Sequence, residues 1–150
     1  MSARAMSESR NIHASALVVG TTGILVTGPS GSGKSAFALA LVAAMRWRGR
    51  FARLVADDRV DISASGDRVI AVAPRTIAGL AEARGTGLLL VPHIGRAVIH
   101  CAAAPATDER LPPDDETMSI APGIVLPVIR LRYADPCSAI ATLAARIGIS

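Results

Sequence analysis

The sequence predicts an α/β fold in which a mixed β-sheet is packed by two helices, one after a glycine-rich loop and one at the C-terminus. Short apolar runs bounded by glycine, proline and aspartate indicate more strands than helices, which argues against a plain alternation of the two. With 51% apolar residues, a chain of 150 residues can bury the core of one domain. Because aromatic residues make up only 3%, aliphatic side chains and alanine must fill that core.

The first elements should form a strand pair followed by a helix. We expect residues 1–12 to be a loose tail and residues 13–150 to form the domain. Strands are predicted over residues 16–20 and 23–27. A helix is predicted over residues 35–48, because strong helix formers fill it and a glycine follows it.

The remaining elements are mostly strands. Pro127 favours a position near a sheet edge for the strand that contains it. Asp135 and Pro136 should begin a last helix that runs to about residue 147. Residues 104–118 are acidic and proline-bearing and predict a mobile loop. The other predictions are strands over 51–56, 60–62, 68–73, 88–91, 97–102 and 124–132 and a short helix over 77–84.

A phosphate-binding loop is the strongest motif. The run that fits the P-loop pattern G-x-x-x-x-G-K-[ST] consists of Gly28, Pro29, Ser30, Gly31, Ser32, Gly33, Lys34 and Ser35. Its glycines let backbone N–H groups converge on phosphates, and the hydroxyl of Ser35 suits Mg²⁺. Lys34 is the only lysine among 16 basic residues, and it stands where a slim ammonium must reach between two phosphates.

Two adjacent acids, Asp57 and Asp58, end the strand that follows the P-loop helix. One can face a metal ion while the other accepts a proton from a substrate hydroxyl, which together with the loop would permit phosphoryl transfer. Like charges this close should raise one pKa, which suits a general base. A solvated strand end is the alternative, which the P-loop upstream disfavours.

Other polar residues are ambiguous from the residues alone. Glu82 and Arg84 are either a helix-end ion pair or part of a site. His13 is either structural or exposed, and Arg110 is either a lid residue or part of a solvated charge run.

Composition excludes several classes. The net charge is only +4, the arginines are spread along the chain, and no aromatic series could stack on bases, so we expect no nucleic-acid partner. No apolar run is long enough to span a bilayer, and we identify no signal peptide, so we expect no membrane partner. Cys101 and Cys137 form neither a disulfide framework nor a zinc site, and we expect reduced, buried thiols in a cytoplasmic protein.

Four blocks of the sequence resemble the HPr kinase/phosphorylase family, specifically its kinase domain. The P-loop is shared by many families, whereas Asp-Asp-Arg-Val and Glu-x-Arg-Gly-x-Gly at this spacing are much more specific. In chain order the blocks are His13 and residues 23–35, 54–60 and 80–87. After His13, this chain has Ala14 and Ser15 where the family has Gly-Val. Since few residues precede His13, the chain resembles the short, single-domain members found in alphaproteobacteria.

The resemblance implies a P-loop NTPase-like kinase domain that uses Mg²⁺ and ATP to phosphorylate a serine of the phosphocarrier protein HPr. It implies that Lys34 holds the transferring phosphoryl group. Ser35 and Glu82 would ligate Mg²⁺, and the aspartate pair would supply the base, with Asp58 favoured. His13 and Arg110 become candidate site residues. The family often forms hexamers, and kinase activity is better supported than phosphorylase activity.

Two other functions stay open from the sequence. A small-molecule kinase of the P-loop class would need a lid with several arginines, and residues 104–118 hold only Arg110. A non-catalytic module that senses ATP is the second alternative. A GTPase is disfavoured, because the guanine-reading motif Asn-Lys-x-Asp needs a second lysine.

Overall fold

The computed structural model describes residues 8–74, 80–83, 87–107 and 115–149, with residues 80–83 and 87–90 described by their backbone alone. The helices are α1 (Lys34–Trp47) and α2 (Pro136–Ile147). The strands are β1 (Arg10–Ile12), β2 (Ser15–Val19), β3 (Thr22–Val26), β4 (Ala52–Ala56), β5 (Val60–Ser65), β6 (Arg68–Val72), β7 (Leu80–Ala83), β8 (Gly87–Leu90), β9 (Arg96–Ile99), β10 (Cys101–Pro105), β11 (Thr117–Ala121) and β12 (Ile124–Leu131).

A six-stranded mixed sheet with the order β11-β12-β10-β3-β2-β4 forms the centre of the described structure. β10 runs parallel to β3 and β12, whereas β2 runs antiparallel to both β3 and β4. β3 and β4 are therefore parallel to each other, and their carboxyl ends lie at the same edge of the sheet. This confirms the predicted α/β class with a mixed sheet.

The central sheet is covered on both faces. Leu17 and Val19 of β2 pack with residues of α1 and α2, whereas Ala16 and Val18 pack with β5 and β6. The second layer is a four-stranded sheet with the order β1-β5-β6-β9. Burial on both faces explains why β2 is continuously apolar after Ser15 rather than alternating.

Both helices lie close to their predicted bounds. Phe37, Leu41 and Met45 are buried at four-residue spacing along α1. α2 begins where the Asp135 side chain accepts a hydrogen bond from the Ser138 amide at 3.3 Å, and it ends at Gly148, whose backbone is left-handed.

Two element predictions were wrong. Residues 80–83 form β7 and pair with β8 instead of continuing a helix, because strand pairing outweighs the helix propensity of their side chains. The predicted strand over 97–102 is two strands in different sheets. The chain changes sheets at His100, whose amide donates to Gly23 O at 2.8 Å and whose Nδ1 accepts from Gly23 N at 2.9 Å.

Two boundaries also differ. Residues 10–12, expected in a loose tail, form β1 and pair with β5. The predicted loop over 104–118 is shorter at both ends, where β10 and β11 continue, and residues 108–114 lie outside the described residues. Pro127 lies near a sheet edge as predicted, on β12 beside the edge strand β11. No helix among the described residues is both long and apolar enough to cross a bilayer.

Candidate active site

The glycine-rich loop (residues 28–33) connects the carboxyl end of β3 to the start of α1. The backbone φ angles of Gly28, Gly31 and Gly33 are 149°, 83° and 92°, values that residues other than glycine rarely adopt. A Cβ at Gly28 would lie 2.6 Å from Ser32 Oγ, so the turn has no space for one. Inside the loop, the Ser32 amide donates to Pro29 O at 3.0 Å.

Ala103 of β10 and Tyr133, which follows β12, hold Thr27, the residue that leads into the glycine-rich loop. The Thr27 hydroxyl donates to Ala103 O at 2.8 Å, and the Tyr133 hydroxyl donates to Thr27 O at 2.8 Å. The Tyr133 ring stacks on Phe37 of α1 at 5.0 Å between centroids. Burial raises the pKa of Tyr133, so its hydroxyl keeps the proton that it donates. The sequence analysis missed Tyr133, because nothing local marks it as a contact of the loop.

The loop region has the features that a phosphate needs. Ser32 Oγ is buried and has no hydrogen-bond partner within the described part of the chain. The first turn of α1 contributes the positive end of a helix dipole. Lys34, its first residue, is only 4% exposed. An unsatisfied hydroxyl, a buried ammonium and a helix N-terminus together fit an anion, and Ser35 lies on the same turn with a hydroxyl that suits Mg²⁺.

Asp57 and Asp58 follow a bulge in β4. Ala16 of β2 pairs with Ala56 and Leu17 pairs with Leu54, so Val55 is the additional residue. Bulges of this kind turn the following side chains away from the regular pleat. Asp57 is buried, whereas the Asp58 side chain is 57% exposed. The bulge thus gives the two adjacent acids different environments, as the sequence analysis expected.

Asp58, Lys34 and His13 form one polar cluster. His13 Nε2 lies 2.5 Å from Asp58 Oδ1, and Lys34 Nζ lies 3.4 Å from the same oxygen. Lys34 Nζ also lies 3.4 Å from His13 Nε2. Because the contact with Asp58 is much the shorter, Nε2 is best assigned as the donor to Asp58. The structure therefore brings together His13, Lys34 and one acid of the pair.

The pKa of Asp58 is lowered, so Asp58 is not the acid of the pair whose pKa charge repulsion was expected to raise. Burial is the largest single influence and acts to raise the pKa. The hydrogen bond and charge of His13, together with those of Lys34, outweigh it. Asp58 is therefore ionised at neutral pH and can accept a proton.

Ser15 is a second contact of the acid pair that the sequence analysis did not identify. Its hydroxyl donates to Asp57 Oδ1 at 2.8 Å, and it accepts from the Asp58 amide at 3.1 Å. Ser15 is the first residue of β2 and is fully buried. A serine at a strand end gives no signal in one sequence, because the acids that it contacts lie more than 40 positions further along the chain.

Three other predicted residues are not placed by the structure. Glu82 lies on β7, which packs beside α1, but its side chain is outside the described residues. Arg84 and Arg110 also lie outside them. Across the described ranges, no group of three or more His, Cys, Asp or Glu residues could hold a metal ion. Both thiols are free as expected and Cys101 is buried, but the expected burial of Cys137 was wrong, because it lies exposed on α2.

An ion pair lies at the same edge of the sheet. Arg130 Nη2 of β12 contacts Glu116 Oε1 at 2.5 Å, and Arg130 Nη1 donates to Pro105 O at 3.1 Å. The hydrogen bond from Arg130 lowers the pKa of Glu116. These contacts fix the points where the chain leaves β10 and returns towards β11. The sequence analysis did not pair these residues.

Comparisons with known proteins agree on one family. Residues 4–100 match the family model described as HPr serine kinase C-terminal domain. The chain is 41% identical over 90 residues to an HPr kinase/phosphorylase of Pediococcus pentosaceus, covering 59% of this chain and 27% of that protein. It is 39% identical over 89 residues to an HPr kinase/phosphorylase of Clostridium tetani, again covering 59% and 27%. The chain thus spans about a quarter of the length of these curated relatives.

A solved structure is similar over almost the whole fold. The HPr(Ser) kinase/phosphatase of Coxiella burnetii superposes with a TM-score of 0.72 at 25% sequence identity, covering 92% of this chain and 96% of that chain. The family model spans well over half of the present sequence, including the glycine-rich loop and the acid pair. The chain therefore belongs to the family of HPr serine kinase C-terminal domains.

Proposed function

We propose that this chain is an ATP- and Mg²⁺-dependent protein-serine kinase that phosphorylates an HPr-type phosphocarrier protein. One observation carries the proposal: the buried ammonium of the P-loop lysine, Lys34, lies 3.4 Å from the exposed carboxylate of Asp58. A phosphate-holding cation and a proton acceptor are therefore adjacent, which is what phosphoryl transfer to a hydroxyl needs. The choice of HPr rests on the names of the relatives.

ATP would bind with its phosphates in the glycine-rich loop of a P-loop NTPase-like site. The loop amides and the α1 dipole belong to fixed backbone, so little reorganisation of these groups opposes charge stabilisation in the transition state. Mg²⁺, held by Ser35 and by Glu82, would neutralise charge on the phosphates. The loop residues 28–33 position the γ-phosphoryl group by their backbone.

Asp58 is the better candidate for the base. An acceptor serine on a folded protein can reach only a carboxylate at the surface, and Asp58 is exposed whereas Asp57 is buried. In the transfer step, the serine oxygen bonds to the γ-phosphorus and the bond to ADP breaks. The serine proton moves to Asp58, and His13 orients that carboxylate through its hydrogen bond.

ATP binding would also activate this base. In this structure Lys34 lies against Asp58 and helps to lower its pKa. When the ammonium turns to the phosphates, Asp58 loses part of that stabilisation, and its proton affinity rises. The carboxylate would become a stronger base once its substrate is in place.

Phosphotransfer to HPr is the direct test. The purified chain is incubated with Mg²⁺, ATP and HPr from the same organism, and the intact mass of HPr is measured. We expect one added phosphoryl group, and none on an HPr variant whose acceptor serine is replaced by alanine. ATP binding without transfer to HPr would overturn the proposal and favour the ATP-sensing module or a small-molecule kinase.

A second incubation, again followed by the mass of HPr, separates kinase activity from phosphorylase activity. Incubating phosphorylated HPr with the chain and inorganic phosphate tests the phosphorylase reaction that the relatives' names include. We propose the kinase as the main activity, acting in the cytoplasm where ATP is available.

A further inference from the structure

Ser15 contacts both acids of the pair through one hydroxyl group. Its Oγ donates to the Asp57 carboxylate at 2.8 Å and accepts from the Asp58 amide at 3.1 Å. The residue is fully buried, and Asp57 is 6% exposed, so water does not compete for these bonds. A hydroxyl can donate and accept at once, which alanine and valine cannot do.

The backbone at Asp58 explains why such a contact matters. Asp58 has φ of 67°, and it is the sole residue other than glycine with positive φ in the described ranges. The Arg59 amide donates to Asp57 O at 2.8 Å, which closes a tight turn around Asp58. A non-glycine residue stays in this conformation only where its surroundings hold it there. The Ser15 hydroxyl is bonded to the amide of this residue.

The position of Ser15 in the fold makes it a rigid support. It begins β2, which lies between β3 and β4, and it pairs with Val26, the last residue of β3 before the glycine-rich loop. The Ser15 hydroxyl therefore links the turn that carries Asp57 and Asp58 to the β2–β3 pair beside the glycine-rich loop. Rigid elements of this kind hold a catalytic group more exactly than a free strand end does.

We infer that Ser15 is a positioning residue for the phosphoryl-transfer step, one that holds the turn over residues 57–59 so that the Asp58 carboxylate faces His13 and Lys34. This inference rests on the proposed kinase function. The hydrogen bonds of the Ser15 hydroxyl go to Asp57 and to the Asp58 amide, so it would act through Asp58. Its loss should therefore lower the rate of transfer more than it weakens ATP binding.

Two measurements on three variants test the inference. Ser15→Ala removes both hydrogen bonds, Ser15→Thr retains the hydroxyl on a side chain that suits a strand, and Ser63→Ala removes a buried serine hydroxyl of β5 as a matched control. The first measurement is the hydrogen-exchange rate of the Asp58 amide by NMR. The second is kcat and KM for ATP in the HPr assay.

The expected pattern is specific to Ser15→Ala. Its Asp58 amide should exchange about tenfold faster, since a hydrogen bond is lost. Its kcat should fall about tenfold or more through misplacement of the carboxylate, with KM for ATP within about threefold of wild type. Ser15→Thr should restore both quantities, and Ser63→Ala should change neither. If Ser15→Ala does not fold, Ser15→Cys, with a similar shape and weak hydrogen bonding, takes its place.

Three outcomes would overturn the inference. Unchanged Asp58 exchange in Ser15→Ala would mean that the hydroxyl does not hold the turn. Faster exchange with normal kcat would mean that the turn does not matter for transfer. Equal losses in Ser15→Ala and Ser63→Ala would indicate general destabilisation. A wild-type chain with no transfer would refute the proposed function itself, and the exchange data would still report on the turn.

Discussion

The Lys34 ammonium at the start of α1 lies 3.4 Å from Asp58 Oδ1, so a buried cation and an exposed acid form an ion pair. The two residues come from different elements, α1 and the turn after β4, which meet because β3 and β4 end at the same edge of the sheet. His13 completes the cluster from the connection between β1 and β2. If Lys34 binds the phosphates of ATP as proposed, ligand binding would change the proton affinity of Asp58 through this one lysine.

Replacing Lys34 should abolish transfer while leaving the fold intact. Lys34→Ala removes the ammonium that would stabilise the transferring phosphoryl group, and Lys34→Arg retains the charge with a planar head that fits the loop poorly. We expect both variants to lose about 100-fold or more in kcat/KM, since Lys34→Ala removes the charge and Lys34→Arg misplaces it relative to the transferring phosphoryl group. The circular dichroism spectrum and Tm serve as controls. A Lys34→Arg variant with normal activity would show that charge alone suffices.

The two aspartates should respond differently to replacement by asparagine. Asp58→Asn retains the shape and tolerates positive φ, but it cannot accept the serine proton. We expect about 100-fold or more loss in kcat, with ATP affinity little changed. Asp57→Asn should mainly lower stability, by about 1–2 kcal/mol, because it weakens a buried hydrogen bond with Ser15. The reverse pattern, in which Asp57→Asn abolishes transfer and Asp58→Asn does not, would assign the base to Asp57.

The stability of the fold should depend on Asp58 in acid. Burial alone would raise the pKa of Asp58, but His13 and Lys34 lower it below the ordinary value. A carboxyl whose pKa is lower in the folded state stabilises that state above its unfolded pKa, about 4, and this contribution disappears as the pH falls through the folded value. The Tm of wild type should therefore fall more steeply than that of Asp58→Asn between about pH 5 and pH 2. If the Tm of the wild type and of Asp58→Asn fell in parallel with pH, the contacts of Asp58 with His13 and Lys34 would not stabilise the fold.

Much of this architecture follows from local sequence. The glycine-rich loop, α1 and the carboxyl-terminal helix have signals within a few residues of each other, such as Asp135 at the N-cap and Gly148 at the C-cap, and their predicted bounds agree with the structure. The β5–β6 hairpin also follows from its alternating pattern around a turn. Each of these elements is specified by contacts between near neighbours in the chain.

The rest depends on contacts between distant residues. The strand over 80–83 has the composition of a helix, and only its pairing with β8 makes it a strand. The change of sheet at His100 occurs within an apolar run that contains no turn residue. Within the candidate site, the motifs identify Lys34 and the acid pair, whereas Ser15 and Tyr133 are identified only by their partners in space. The lowered pKa of Asp58 likewise follows from His13, 45 positions away.

Tyr133→Phe should weaken both the fold and ATP binding slightly. The change retains the ring that stacks on Phe37 and removes only the hydroxyl that donates to Thr27 O. Losing one buried hydrogen bond should lower the free energy of unfolding by about 1 kcal/mol, measured by urea unfolding. Because Thr27 leads directly into the glycine-rich loop, KM for ATP should rise while kcat changes less. The rise should be about twofold to fivefold, since a single neutral hydrogen bond stabilises the loop by about 1 kcal/mol or less. A fall in kcat with unchanged KM would mean that Tyr133 supports the transfer step rather than the loop that holds the phosphates.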